Sequence, residues 1–165
     1  MIRPLFVARG ALLCALVTGA ACHHRGGAKV APPAAPDSLR GLVSVTGASL
    51  EQRLVLRSGA LAVYLSGSPA DSAALVRLSG AEVVVRGKAD GTMLHVVEFT
   101  VVGVDAAPAL DGVLRNDGTG LVIETRQGRV TLGNPPPALR ALVGARVWIT
   151  GAPATGPLVY GVIVP

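Results

Sequence analysis

The sequence predicts an all-β fold, built as two small five-stranded barrels in tandem, each with a short helix between its third and fourth strands. Apolar residues recur at every second position in short stretches, which is typical of half-buried strands. The whole pattern then occurs twice, once in residues 39–105 and again in residues 106–165. Because 50% of the residues are hydrophobic and only 15% are charged, the composition excludes an intrinsically disordered chain.

In the first copy, Leu61, Val63 and Leu65 illustrate the strand alternation. Pro69 suits the first turn of a helix, where no amide donor is needed, and Gly80 suits its end, where left-handed backbone is common. The predicted elements are strands at Gly41–Val45, Arg53–Arg57, Leu61–Ser66, Ala81–Lys88 and Met93–Val102, with a helix at Pro69–Leu78.

The second copy repeats these elements in the same order. Leu39-Arg40-Gly41-Leu42-Val43 is echoed by Leu110-Asp111-Gly112-Val113-Leu114, and residues 74–80 are echoed by residues 138–144. The predicted elements are strands at Gly112–Asn116, Leu121–Thr125, Arg129–Leu132, Ala145–Gly151 and Leu158–Val164, with a helix at Pro137–Val143. The second copy is shorter than the first, so we expect either a small barrel or an incomplete one.

Both copies share the pattern Leu-x-x-Leu-x-Gly-x-x-Val-x-Val/Ile-x-Gly, at Leu75–Gly87 and at Leu139–Gly151. With three strands before the helix and two after it, the order resembles the OB-fold, and the pattern also resembles OB-like modules of exported bacterial proteins. The resemblance implies two OB-like barrels, at residues 39–105 and 106–165, and no catalytic residue. The same alternation also permits one antiparallel β-sandwich of about ten strands.

Residues 1–21 have the pattern of a signal peptide. Arg3 and Arg9 lie in a basic start without acids, and an uncharged, mostly apolar stretch follows from Ala11 to Ala21. This stretch is too short for a stable spanning helix, which needs roughly 20 apolar residues. The sequence therefore predicts export, with residues 1–21 removed.

Cys22 follows the signal peptide directly. Val17-Thr18-Gly19-Ala20-Ala21-Cys22 resembles the lipobox of bacterial lipoproteins, although Gly19 stands where that family prefers Leu. The resemblance implies a lipid anchor on Cys22 and, because His23 rather than Asp follows it, a protein of the outer membrane that faces the periplasm. Acyl burial contributes about 0.8 kcal/mol per methylene. The alternative is ordinary cleavage after Ala21 and plain secretion.

Residues 22–38 are predicted to form a tether, since prolines, glycines and alanines there follow neither a helical nor a strand period. His23 and His24 are candidate metal ligands. Zinc, however, needs three or four converging ligands, and the only other histidine is His95. We therefore expect neither a metal site nor a cofactor.

The candidate ligand-binding residues are Arg53, Arg57 and Tyr64, on the outer face of strands two and three in the first copy. Cations beside an aromatic ring are typical of sites for single-stranded nucleic acid. The second copy lacks an aromatic residue there. The net charge is only +5, and the basic residues do not form a stripe, which argues against a nucleic-acid partner. The open alternatives are a solvated face and a site for nucleic acid or oligosaccharide. Trp148 is expected either to pack in a barrel core or between domains, or to serve as a ligand platform.

The sequence does not predict an enzyme. The exported chain keeps one cysteine, at its terminus, and one histidine in the folded region, so no Ser-His-Asp or Cys-His set is assembled. The carboxylates of Asp71, Glu82 and Glu98 have no spacing that brings them together. We therefore expect a membrane-tethered protein of the cell envelope, with a non-catalytic binding or scaffolding role and a further envelope protein as a candidate partner.

Overall fold

The computed structural model describes residues 37–48 and 51–165, so the predicted signal peptide and most of the tether lie outside the described residues. Of the described residues, 59% lie in strands and 10% in helices, which confirms the all-β class. Within these two ranges, no helix combines the length and the apolar character needed to cross a membrane. The first strand begins at Asp37, just before the predicted domain start at residue 39.

The first half forms a closed five-stranded barrel. β1 pairs with β2 and β4, β2 pairs with β3, and β5 pairs with β4 and, in parallel, with β3. Register shifts along β4 and β5 mark bulges, which increase strand twist and help a small sheet to close. The elements are β1 (Asp37–Thr46), β2 (Arg53–Ser58), β3 (Leu61–Ser66), α1 (Pro69–Arg77), β4 (Glu82–Asp90) and β5 (Met93–Val104).

Helix α1 begins as the sequence predicts and ends one residue early. The Ser68 hydroxyl accepts a hydrogen bond from the Asp71 backbone N–H at 3.1 Å, so it caps the helix before Pro69. Leu75 faces the barrel core and is fully buried. The chain leaves the helix through Gly80, whose φ of 88° lies in the left-handed region that glycine tolerates.

The second half has the same order of elements but is not closed by strand pairing. Its strands are ordered β8-β7-β6-β9-β10, and in the described part of the chain β8 and β10 do not pair. One backbone bond spans this gap, from Gly133 N–H to Pro153 O at 2.9 Å. A second complete barrel is therefore not observed. The elements are β6 (Ala107–Asn116), β7 (Leu121–Thr125), β8 (Gly128–Thr131), α2 (Pro137–Arg140), β9 (Arg146–Gly151) and β10 (Leu158–Val164).

The backbone contacts of the two halves repeat at equivalent positions. In the first half, the Val43 N–H donates to Ala81 O at 3.0 Å and the Gly80 N–H donates to Val43 O at 2.8 Å. In the second half, the Leu114 N–H donates to Ala145 O at 3.0 Å and the Gly144 N–H donates to Leu114 O at 2.9 Å. The repeated sequence therefore produces a repeated local structure around the strand that follows each helix.

Each half has its own cluster of buried apolar side chains. Leu56, Val83 and Leu75 belong to the first, and their counterparts Ile123, Val147 and Leu139 belong to the second. The separation is not complete, because Ile163 of β10 is fully buried in the first cluster. The end of the chain therefore helps to complete the core of the first half.

The two halves are joined by a tight turn and an ion pair. Asp105 and Ala106 connect β5 to β6 with φ angles of 51° and 61°, as in a type I′ turn. Beyond the turn, the Asp111 carboxylate accepts the Val101 N–H at 2.7 Å, while Arg146 donates to both Asp111 oxygens and to Phe99 O. The Asp111–Arg146 pair thereby satisfies two backbone groups of β5, the Val101 N–H and the Phe99 carbonyl.

The equivalent positions of the first half carry the same pair with its signs exchanged. Arg40 stands in place of Asp111, and Glu82 stands in place of Arg146. The Arg40 Nε and Glu82 Oε1 atoms lie 2.9 Å apart. The Arg40 and Glu82 side chains are 63% and 36% exposed, whereas those of Arg146 and Asp111 are 28% and 3% exposed. The same strand register therefore gives a solvated pair in one half and a buried connection in the other.

Candidate functional site

A groove of about 600 Å³ lies in the first half where β2 begins and β3 ends, beside α1. We call it the first groove. Its floor is formed by strand residues that also face the core, and its rim carries polar side chains. The lining residues are Val45, Gln52, Arg53, Leu54, Tyr64, Leu65, Ser66, Gly67, Ser72, Val76 and Met93.

Arg53 and Tyr64 meet in the first groove, as strand alternation predicts. The Arg53 guanidinium carbon lies 5.7 Å from the centre of the Tyr64 ring, within the range of a cation–π contact. Arg53 forms no ion pair with any acid in the described part of the chain. The groove therefore combines one aromatic ring with one cation whose charge is not neutralised by a neighbour.

The apolar wall of the first groove is assembled from three different elements. Tyr64 of β3 and Met93 of β5 are partners in the short parallel pairing, so their side chains lie side by side. Val76 of α1 also lines this wall. All three are large apolar residues that remain exposed. Apolar surface gathered in a concavity with a few polar groups is typical of ligand sites.

Arg57 does not line the first groove. It pairs with Ala62 rather than with Tyr64, and its Nε donates to the Ser44 hydroxyl at 3.3 Å. Val55, which alternation also places on the outer face, is only 6% exposed between its neighbours Ser44 and Tyr64. The open face of strands two and three is therefore narrower than the sequence predicts.

Trp148 packs between the two halves and lies apart from the first groove. It is partly buried against the first core. Its β10 partner is Gly161, where an added Cβ would lie 2.6 Å from the indole ring. The absence of a side chain at Gly161 therefore leaves room for the indole to lie on the β10 backbone.

The carboxylates considered in the sequence are occupied by local partners. Hydrogen bonds from Arg40 lower the pKa of Glu82, and those from Arg126 lower the pKa of Glu98. Asp71 accepts from the Ser68 hydroxyl at 2.6 Å. Within residues 37–48 and 51–165, no three His, Cys, Asp or Glu side chains converge to hold a metal ion. Ionised, paired glutamates are poor proton donors at neutral pH.

A groove of about 440 Å³ occupies the equivalent place in the second half, and we call it the second groove. Leu121 and Leu132 form its floor as Leu54 and Leu65 do in the first groove. Arg140 follows Leu139 of the second core as Val76 follows Leu75. The lining residues are Asn116, Thr119, Gly120, Leu121, Thr131, Leu132, Gly133, Pro135, Arg140 and Val143.

The sequence prediction missed the second groove because it set the second copy aside for the lack of an aromatic residue on its strand face. The available signal was the duplication itself, since the repeat maps most lining residues of one groove onto the other, as it maps Leu54 and Leu65 onto Leu121 and Leu132. Cys22, the predicted lipid attachment site, lies outside the described residues.

Comparison with protein-family models, curated proteins and solved structures finds no match to this chain.

Proposed function

We propose that this chain is an exported, lipid-anchored protein of the cell envelope with a non-catalytic binding role, and that its ligand occupies the first groove. The lipobox-like sequence that ends at Cys22 supports the anchor, and His23 supports sorting to the outer membrane. A non-catalytic role is supported by the pairing of Glu82 and Glu98 with arginines.

We further propose that both halves are OB-like modules. In the first half, the closed order β1-β2-β3-β5-β4-β1, with a helix between β3 and β4, supports this assignment. In the second half, the same order without pairing of β8 to β10 supports an open version of the same unit. Small OB-like barrels bind extended oligomers on the face where the first groove lies.

The observation that carries the binding proposal is the meeting of Tyr64 and Arg53 with an apolar wall in one concavity. A sugar ring has an apolar C–H face and a rim of hydroxyl groups. The exposed Tyr64 ring and Met93 match the first, and Gln52, Ser66 and Ser72 supply hydrogen-bonding groups for the second. An oligosaccharide is therefore the ligand class that the first groove fits best.

Single-stranded nucleic acid is the second candidate, favoured by the Arg53 guanidinium over the Tyr64 ring. Nucleic acid also requires cations that follow a phosphate backbone. Arg57 would be the next cation along the strand, but it is hydrogen-bonded to Ser44 outside the groove. A single cation and a single ring fit a sugar unit better than a row of nucleotides.

Titration calorimetry of the full chain with chitotriose tests the proposal. Tyr64→Ala removes the stacking surface and is expected to weaken binding about tenfold, because the lost ring contact amounts to about 1–2 kcal/mol. Arg57→Ala is the matched control, since it alters the same sheet outside the groove, and it should leave the affinity unchanged. Absence of chitotriose binding, or equal loss in both variants, contradicts the saccharide proposal.

Titration with a single-stranded oligonucleotide separates the second candidate. Binding that falls steeply with salt and is abolished by Arg53→Ala with Tyr64→Ala would assign nucleic acid to the first groove. The saccharide proposal expects chitotriose binding that is nearly independent of salt, because a neutral sugar releases no counterions.

The anchor is tested separately with Cys22→Ser. The proposal expects the wild-type chain to partition with membranes and to carry the added mass of acyl chains. The variant should lose both properties, because serine offers no thiol for lipid attachment. Unchanged partitioning and unchanged mature mass in the variant would show that the chain is not lipidated at this position.

A further inference from the structure

We infer that the second groove is a separate binding site for a negatively charged sugar unit, one that carries a carboxylate or a phosphate group. Arg140, Asn116 and Thr131 lie around this groove above a floor of Leu121 and Leu132. The inference rests on the proposed function in taking the protein to be a saccharide-binding protein. It adds a second site whose chemistry differs from that of the first groove.

The cation of this site is Arg140. In residues 106–165, which the structure describes without a gap, Arg115, Arg126, Arg129 and Arg146 each form an ion pair with an acid. Arg140 is the one arginine of this range that has no such partner, and it lines the second groove. A guanidinium presents parallel donors that match the oxygens of a carboxylate or phosphate.

The acid nearest in sequence to this groove does not compete for Arg140. Asp117 accepts hydrogen bonds from the backbone N–H groups of Thr119 and Gly120, at 3.0 and 3.1 Å, and from the Thr119 hydroxyl at 2.7 Å. These bonds lower the pKa of Asp117 and hold its carboxylate within its own turn. The positive charge of Arg140 is therefore left for a ligand.

Uncharged groups around the groove suit the hydroxyls and the ring of a sugar. The Asn116 side-chain oxygen accepts from the Gly118 N–H at 3.1 Å, which leaves its amide group to donate. Thr131 supplies a hydroxyl from β8. At Gly120, an added Cβ would meet nothing within 4 Å, so space remains beside the polar rim.

The apolar part of the groove favours a sugar over a nucleotide. Leu121 and Leu132 form the buried floor, and the exposed Val143 presents aliphatic surface to the C–H face of a ring. None of the described residues that line the second groove is aromatic, so these residues offer a nucleobase no stacking partner. The first groove, by contrast, places its cation against the Tyr64 ring. The duplication has thus left two related sites, an aromatic one and an ionic one.

Amide chemical shifts of the isotope-labelled full chain test this inference with three probes: glucuronate, glucose 6-phosphate and neutral glucose. An anionic probe is expected to shift the amides of Gly120, Thr131 and Gly133, whereas glucose should not. Arg140→Gln should weaken this binding about tenfold or more, as expected for loss of a charged hydrogen-bond donor. Arg129→Gln is the control, since Arg129 pairs with Glu124 outside the groove.

The anionic probe that binds more tightly identifies the oxyanion, and binding of either supports the inference. Absence of shifts with both anions, equal shifts with glucose, or binding that survives Arg140→Gln overturns it. Shifts of Tyr64 and Leu65 with chitotriose report on the first groove in the same sample. Failure of the proposed function at the first groove and failure of this inference at the second are therefore separate results.

Discussion

Replacing Asp111 with Ala is expected to lower the free energy of unfolding by about 4 kcal/mol. The Asp111 carboxylate accepts from the Val101 N–H at 2.7 Å and from Arg146 at 2.8 and 2.7 Å. Its removal leaves one buried N–H without an acceptor, which costs about 1–3 kcal/mol. It also leaves Arg146 without its counter-ion, and one-sided loss of a buried pair costs about 3–5 kcal/mol. Because the Arg146 side chain is 28% exposed, the lower end applies.

The molecule contains its own matched control for this substitution. Arg40→Ala removes the residue that stands at the equivalent position of the first half. Its pair with Glu82 lies in solvent, which screens the attraction, so the urea midpoint should hardly change. The comparison therefore isolates burial, since strand position and pair geometry are nearly the same.

Urea unfolding followed by Trp148 fluorescence and by far-ultraviolet circular dichroism measures both variants. Trp148 is the single tryptophan and packs between the halves, so its emission reports directly on their contact. Asp111→Ala should shift the transition to lower urea with both probes. A midpoint for Asp111→Ala no lower than that for Arg40→Ala would refute the view that Asp111 connects the halves.

Three further predictions concern the backbone, the junction and the pH dependence. Ala106→Gly should raise the free energy of unfolding by about 1 kcal/mol, because Ala106 has a φ of 61°. Ala62→Gly on β3 should lower it, and a change of the same sign in both variants, measured by urea unfolding, would contradict this. Gly161→Ala should lower the free energy of unfolding by about 1–3 kcal/mol, because the added Cβ would lie 2.6 Å from the Trp148 indole. Gly120→Ala, where the added Cβ would meet open space, should lower it less in the same assay. Arginine hydrogen bonds lower the pKa of Glu82, Glu98 and Glu124 from 4.5, so the unfolded chain takes up protons first as the pH falls. Stability should therefore be complete above pH 4.5 and decline below it, and a urea midpoint that rises on acidification would contradict the ion pairs.

The strands and the duplication could be predicted from the sequence because both depend on local patterns. The alternation of Leu61, Val63 and Leu65 placed β3 at its observed bounds, and Pro69 marked the start of α1. Closure of the second half could not be predicted, because it depends on whether two strands far apart in the chain reach each other. Gly133 and Pro153 supply one backbone bond where the first half has a short parallel ladder.

The candidate site was predictable where it lies on neighbouring strands and unpredictable where it depends on packing. Arg53 and Tyr64 were found from strand phase, and the structure brings them together. Val76 and Met93 could not be assigned, because they reach the first groove from a helix and from a strand later in the chain. The exchange of Arg40 for Asp111 is visible in the sequence. Which pair is buried depends on β5, which covers only the second one.

Photo-crosslinking in cells tests the central claim, that the first groove holds a saccharide of the envelope. A benzophenone amino acid placed at Met93 lies in the groove, and one placed at Val97 lies on the same strand, at a residue that is 72% exposed and outside the groove. In cells fed radiolabelled glucosamine, irradiation is expected to give a labelled adduct at position 93 and little at position 97. Equal labelling at the two positions, or none at position 93, would contradict the claim.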